Sequence, residues 1–152
     1  MVYTTAEGRE QLLDSLATAT ESLGRALAEL TEAFEQLDDA NAERLEDTLF
    51  RPVQHAYGRA RRAHAQFAER HELTATQPTA APASAPAAGA HALIERAVGE
   101  VQAADAELGE LQDSMLPVEV GDVQLREDLT AVRAGVGRAP AQARELLRTL
   151  GR

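Results

Sequence analysis

LLDSLATATESLGRALAELTEAFEQL, residues 12–37, decides the fold. Within it Leu13, Leu16, Thr20, Leu23, Leu27, Leu30, Phe34 and Leu37 recur at alternating spacings of three and four. A period of about 3.5 residues, held this long, is the seam of a helix packed lengthwise on partners. The flanking columns are small: Leu12, Ala19, Ala26 and Ala33 on one side, Ala17, Gly24 and Thr31 on the other. Such a face is too broad for a two-stranded coil and suits a bundle. Its register places Leu23, Leu30 and Phe34 in the central core.

Working outward, Thr4-Thr5-Ala6-Glu7 reads as a capping box opening a helix over residues 5–37. Asp38-Asp39-Ala40-Asn41 supplies a turn and N-caps. A second helix over residues 40–72 follows, carrying Leu49, Val53, Ala56, Ala60, Ala63 and Phe67 on one side. Pro52 predicts a kink in it without reversal, because the apolar phase survives across the proline. Residues 74–90, TATQPTAAPASAPAAGA, hold three prolines and no charge and read as an extended or disordered Ala/Pro-rich linker. A third helix over residues 91–116 carries Ile94, Ala97, Val101, Ala104, Leu108, Leu111 and Met115, closed by Pro117. A fourth over residues 122–150 is weakened between 135 and 140 by Gly135, Gly137 and Pro140.

The expected fold is therefore all-α. It is a four-helix up-down-up-down bundle of two antiparallel hairpins, residues 1–73 and 91–152, sharing one core. A flexible linker of 17 residues has an r.m.s. span of about 23 Å, so the third helix is expected to begin at the end where the second stops. The same slack would admit a domain-swapped homodimer.

Aromatics make up 3% of the 152 residues and Trp is absent, so Leu, Val and Ala must build the core. All fifteen basic residues are Arg; against 25 acids they leave a net charge of −10. A field of that sign disfavours nucleic acid and anionic membranes and favours a basic partner. The absence of Cys excludes disulfides, thiolate metal sites and cysteine nucleophiles. No apolar run approaches the roughly 20 residues of a membrane span, and no signal-peptide pattern opens the sequence, so a cytoplasmic protein without membrane contact is expected.

The charges also predict helix neighbours. Residues 1–50 hold twelve acids against Arg9, Arg25 and Arg44, whereas residues 51–71 hold five arginines against Glu69. Folding about residue 39 or 40 sets Arg59 to Arg62 beside Glu21, and Arg70 beside Glu7 and Glu10. In the second half, the acids between Glu95 and Asp113 would face Arg133, Arg138, Arg144 and Arg148.

Catalytic signatures are missing: there is no Gly-rich phosphate loop, HExxH or GxSxG. A di-iron bundle needs Glu-x-x-His, but Pro52, Arg61, Ala68 and Ala88 stand three residues before His55, His64, His71 and His91. His64 and His71 lie about 10.5 Å apart along a helix, too far to share one metal. No catalytic, cofactor or metal site is expected. Phe50, Tyr57, His64 and His71 form one stripe, read as a column packed along a seam. Phe50, Tyr57 and His64, with Arg59, Arg61 and Arg62, are the candidate partner-facing residues.

His55 has Arg51 four residues before it and Arg59 four after, on one helix face, where two guanidiniums would stabilise a phosphohistidine. The run HAYGRA, residues 55–60, resembles the site of histidine phosphotransfer domains, which are themselves four-helix bundles. It covers six residues and departs from that family's Lys and Gly at the third and fourth following positions, where Gly58 and Arg59 stand. A phosphoacceptor role for His55 is accordingly not expected. The expected function is a non-catalytic interaction or regulatory protein that binds another protein, itself included, through helix faces. The alternatives are a phosphotransfer or small-ligand module at His55 with Arg51 and Arg59, and nucleic-acid association through Arg59, Arg61 and Arg62.

Overall fold

The computed structural model describes residues 5–74, 78 and 89–151, all-helical and without a strand among them. Thr4 and the side chain of Thr5, on which the expected capping box rests, lie outside the described residues, as do residues 75–77 and 79–88 of the expected linker. In chain order the helices are α1 (Thr5–Gln36), α2 (Asp39–Leu45), a π-helical turn (Glu46–Phe50), α3 (Arg51–Arg70), α4 (Ala90–Asp113), α5 (Leu116–Val120), α6 (Val123–Val136) and α7 (Ala139–Leu150).

Asp38 starts α2 by accepting the Asn41 backbone N–H at 2.8 Å, satisfying one of the orphan donors of a helix start. Around Pro52 the chain widens rather than breaks. The Arg51 N–H donates five residues back to Glu46 O, and Leu45, Glu46, Phe50 and Arg51 all keep right-handed helical dihedrals. A π turn there eases the crowding that a proline ring imposes on the carbonyl four residues earlier. The second break falls at Gly137 and Arg138, and Pro140 sits in the first turn of α7, where its missing N–H costs nothing.

Two departures from the sequence pattern concern the ends of α4 and α1. Pro117 does not close the third helix: α4 stops at Asp113, Met115 turns left-handed at φ 65°, and Pro117 belongs to the short α5. Met115, expected on the seam, is 52% exposed. In α1, Leu23 and Leu30 are buried as expected, but Phe34 is 41% exposed. The fully buried set is Leu12, Leu16, Ala19, Thr20, Leu23, Ala26, Leu30 and Ala33. Helix α1 lies against both α3 and α4, and its most extensive contact is with α4. That neighbour buries Ile94, Ala97, Val101, Ala104, Leu108 and Leu111 at the same alternation of three and four. Alanine in alternate columns of both helices permits close approach, so the small column takes the seam. The column through Phe34 runs out into a hollow at the hairpin end, beside Leu37 and Ala42.

Named contacts settle the helix directions. Arg25 of α1 pairs with Glu100 of α4, while Gln11 and Ser15 share a hollow with Ser114 and Leu116, so α1 and α4 are antiparallel. Arg59 reaches Asp128 and Arg70 reaches Asp122, so α3 and α6 are antiparallel. Arg133 pairs with Asp105, and His91 lies beside Arg144 and Arg148, which sets α4 antiparallel to α6 and α7. Helices α3 and α4 thus run the same way. The order is up-down-down-up, with one crossover, in place of the expected up-down-up-down.

The third helix therefore begins at the opposite end from where α3 stops. The fifteen steps from Thr74 to Gly89 reach about 50 Å when extended, against about 36 Å for the 24 residues of α4. The rule that joins consecutive helices as antiparallel neighbours holds for short loops, and this connection is long enough to escape it. One core cluster runs through the molecule, from Leu12 and Leu23 of α1 through Phe67 of α3 and Val101 of α4 to Leu129 of α6 and Leu146 of α7.

Candidate functional site

Residues 48–68 contain no acid, and the structure shows which acids come to their arginines from elsewhere. Arg51 is held by Asp47 at 3.2 Å and Glu46 at 3.9 Å. Arg59 pairs with Asp128 of α6 at 3.0 Å, and Arg70 with Asp122 at 2.8 Å. Arg59 and Arg70 thus pair with Asp128 and Asp122 in place of the expected Glu21 and Glu7 or Glu10. Helix α3 offers two of its arginines, Arg59 and Arg70, to α6 and its cap, while α1 makes its most extensive contact with α4. The pairing expected in the second half is present for Arg133, which donates through Nε to Asp105 at 2.8 Å.

His55 is exposed. With Gln54, Arg59 and Arg62 it lines a hollow of about 480 Å³ between α3 and α6, floored by Gly58 and Gly135. Arg51 is drawn toward its own preceding turn, so the cations that share this hollow with His55 are Arg59 and Arg62. Arg61 lies over the Tyr57 ring, 5.7 Å from its centroid. Glycine costs about 1 kcal/mol against alanine inside a helix, and two such positions meet at this one place.

The candidate partner-facing column is mostly internal. Phe50 and Tyr57 pack half-buried against the core, and His64 is 1% exposed, so His64 presents no surface to a partner. Burial lowers the His64 pKa, Asp14 and Glu21 pull it the other way, and its Nδ1 has no hydrogen-bond partner. His71 ends the column with its ring 4.4 Å from that of Phe67 and its Nε2 2.8 Å from Asp122. Of the candidates, Arg61 and Arg62 are exposed.

Sequence reasoning missed two features. Between α1 and α4, Arg25 and Glu100 form an ion pair beside Glu29, which is 2% exposed. Burial raises the Glu29 pKa and Glu100 adds to it, against the pull of Arg96 and Arg25. The second is a groove of about 610 Å³ where α5 meets α6, its apolar wall formed by Pro117, Val118, Val123, Leu129 and Ala134 and shared with Gln112, Arg126, Glu127 and Thr130. Met115, Val118 and Val123 are 52%, 46% and 61% exposed. A signal for it stands in the sequence: Met115-Leu116-Pro117-Val118-Glu119-Val120 is apolar yet fits neither neighbouring helix's spacing once Pro117 interrupts.

Among the described residues no three His, Asp or Glu side chains converge to hold a metal ion, and no helix is long and apolar enough to cross a membrane. Comparison with protein-family models, curated proteins and solved structures finds no match to this chain.

Proposed function

We propose that this chain is a non-catalytic interaction protein, and that the α5–α6 groove receives the apolar face of a helix from another protein. One observation carries the reading. Most large apolar side chains are sunk in the core, yet three of the four that are well exposed, Met115, Val118 and Val123, fall within nine residues, and Val118 and Val123 line this groove. A grouped, exposed apolar patch on a small acidic protein marks an interaction site more often than chance exposure does. Fully burying a valine or methionine contributes about 1.5–3 kcal/mol. Covering the exposed halves of Val118 and Val123 is worth about 2 kcal/mol by the same rule, enough for anchors within a larger interface.

The variant carrying Val118→Asp and Val123→Asp tests this. Both side chains already face water, so the melting temperature should stay within a few degrees of the parent. Partners that co-purify with the parent from its native cell should be lost. An unchanged set of partners in the variant contradicts the reading. A partner set consisting of the chain itself would identify the interface as a homodimer.

A further inference from the structure

We infer that the hollow between α3 and α6 is a binding site for a small phosphate-bearing molecule, gripped by the guanidiniums of Arg59 and Arg62 with Gln54 and His55 at the rim. It adjoins the α5–α6 groove across Ala131 of α6, and its ligand is independent of the partner proposed for that groove.

The first support is electrostatic. On a chain of net charge −10, the hollow's lining holds two arginines, a histidine and no carboxylate. His55, Arg59 and Arg62 stand at i, i+4 and i+7, so one helix face presents all three. The Arg59 guanidinium is fixed beforehand. Its Nε and Nη2 lie 3.1 and 3.0 Å from Asp128 Oδ1, and that oxygen also accepts from Gln124 at 3.2 Å. Asp128 is 5% exposed, so the anchor is buried. That pairing uses Nε and Nη2 and leaves Nη1 for a ligand. A pre-oriented planar fork loses little freedom on binding an oxyanion.

The second support is the pair of glycines. A Cβ on Gly135 would lie 3.7 Å from the Ala56 Cβ, an ordinary contact, so helix packing alone does not demand glycine there. A Cβ on Gly58 would lie 3.3 Å from Arg62 Nη1, so the missing side chain leaves room for that guanidinium against the helix. Glycine is a poor helix former, and here one keeps the floor open while the other seats a cation. A phosphate monoester suits the result: Asp128 already balances Arg59, so Arg62 supplies the net positive charge, the phosphate oxygens accept guanidinium donors, and about 480 Å³ admits the phosphate with part of its substituent.

The test is a titration of the full chain with pyrophosphate, followed by amide chemical shifts at fixed ionic strength. Saturable shifts centred on Gly58, Arg62 and Gly135 are expected. Arg62→Gln should weaken binding at least tenfold. Gly135→Leu should fill the hollow and abolish binding while keeping both guanidiniums and the helical spectrum. Arg61→Gln removes a neighbouring cation outside the hollow and should bind like the parent. Absence of saturable shifts, parent-like binding by Gly135→Leu, or equal weakening by Arg61→Gln would each overturn the proposal. The last two would show an attraction between charges that needs no hollow.

Discussion

Arg70 holds Asp122 with two bonds, Nε to Oδ2 at 2.9 Å and Nη2 to Oδ1 at 2.8 Å, and so ties the last turn of α3 to the first turn of α6. The same carboxylate caps α6 by accepting the Leu125 N–H at 2.8 Å, and His71 Nε2 lies 2.8 Å from it. Burial opposes ionisation of Asp122, but Arg70, Leu125 and His71 outweigh it and hold the carboxyl below its ordinary range.

Asp122→Ala therefore loses both a cap and a largely buried ion pair, at a cost of about 3 kcal/mol at neutral pH. The folded pKa of Asp122 lies below the unfolded value of about 3.9. Its stabilisation is thus complete above that value and is lost as pH falls through the folded one. Urea unfolding should separate parent and variant at pH 7 and bring them together near pH 2. A constant gap across that range contradicts the assignment.

His64 works in the opposite ionisation sense. Its folded pKa is lowered by burial, so below the ordinary value of about 6.5 the unfolded chain binds the extra proton. The stability that neutral His64 contributes is present above that value and falls away as pH drops toward the folded one. His64→Leu should flatten the decline in melting temperature between pH 7 and pH 5. Equal slopes in parent and variant would show that His64 does not titrate as a buried group.

The register of α1 is tested by two truncations one turn apart. Leu30 is 1% exposed and Phe34 is 41% exposed. Leu30→Ala should cost about 2–5 kcal/mol and Phe34→Ala less than about 1 kcal/mol, read from denaturant midpoints. The reverse order would restore the seam that the bare spacing suggests.

That contrast shows what is legible in the residues. Leu16, Leu23 and Leu30 can be placed from spacing because they sit between both seams of α1 and stay buried whichever neighbour lies alongside. Thr20 is buried with Ala19, but whether Ala26 and Ala33 or Leu27 and Phe34 continue the seam depends on which helix comes closest, and period does not carry that. Helix order was hidden for a similar reason. Arg59 can reach a carboxylate on either adjacent helix, and an uncharged linker reveals its length but not its route. The His55–Arg59 face was readable from the four-residue spacing, whereas Gly135 joins it only through the register of α6 against α3.

Met115 is a non-glycine residue at φ 65°, half in water in the turn between α4 and α5. The left-handed conformation costs an L-residue about 1–2 kcal/mol, and little core contact is lost by trimming an exposed side chain. Met115→Gly should therefore raise stability by about 1 kcal/mol in urea unfolding, even though glycine usually destabilises. A loss of stability would mean that the Met115 side chain packs more tightly than its exposure implies.

The crossover arrangement rests on α3 and α4 running the same way, so the direct test is the distance between the end of one and the start of the other. The chain has no cysteine, so spin labels at Glu72→Cys and His91→Cys occupy unique, exposed positions. The end of α3 lies beside Asp122 and the start of α4 beside Arg144. The 24 residues of the unbroken α4 set the separation of the two ends at about 36 Å. Pulsed dipolar spectroscopy should find the labels roughly 30–40 Å apart. A distance below about 20 Å would place both ends on the same side of the bundle and contradict the crossover arrangement, along with the α3–α6 hollow built on it.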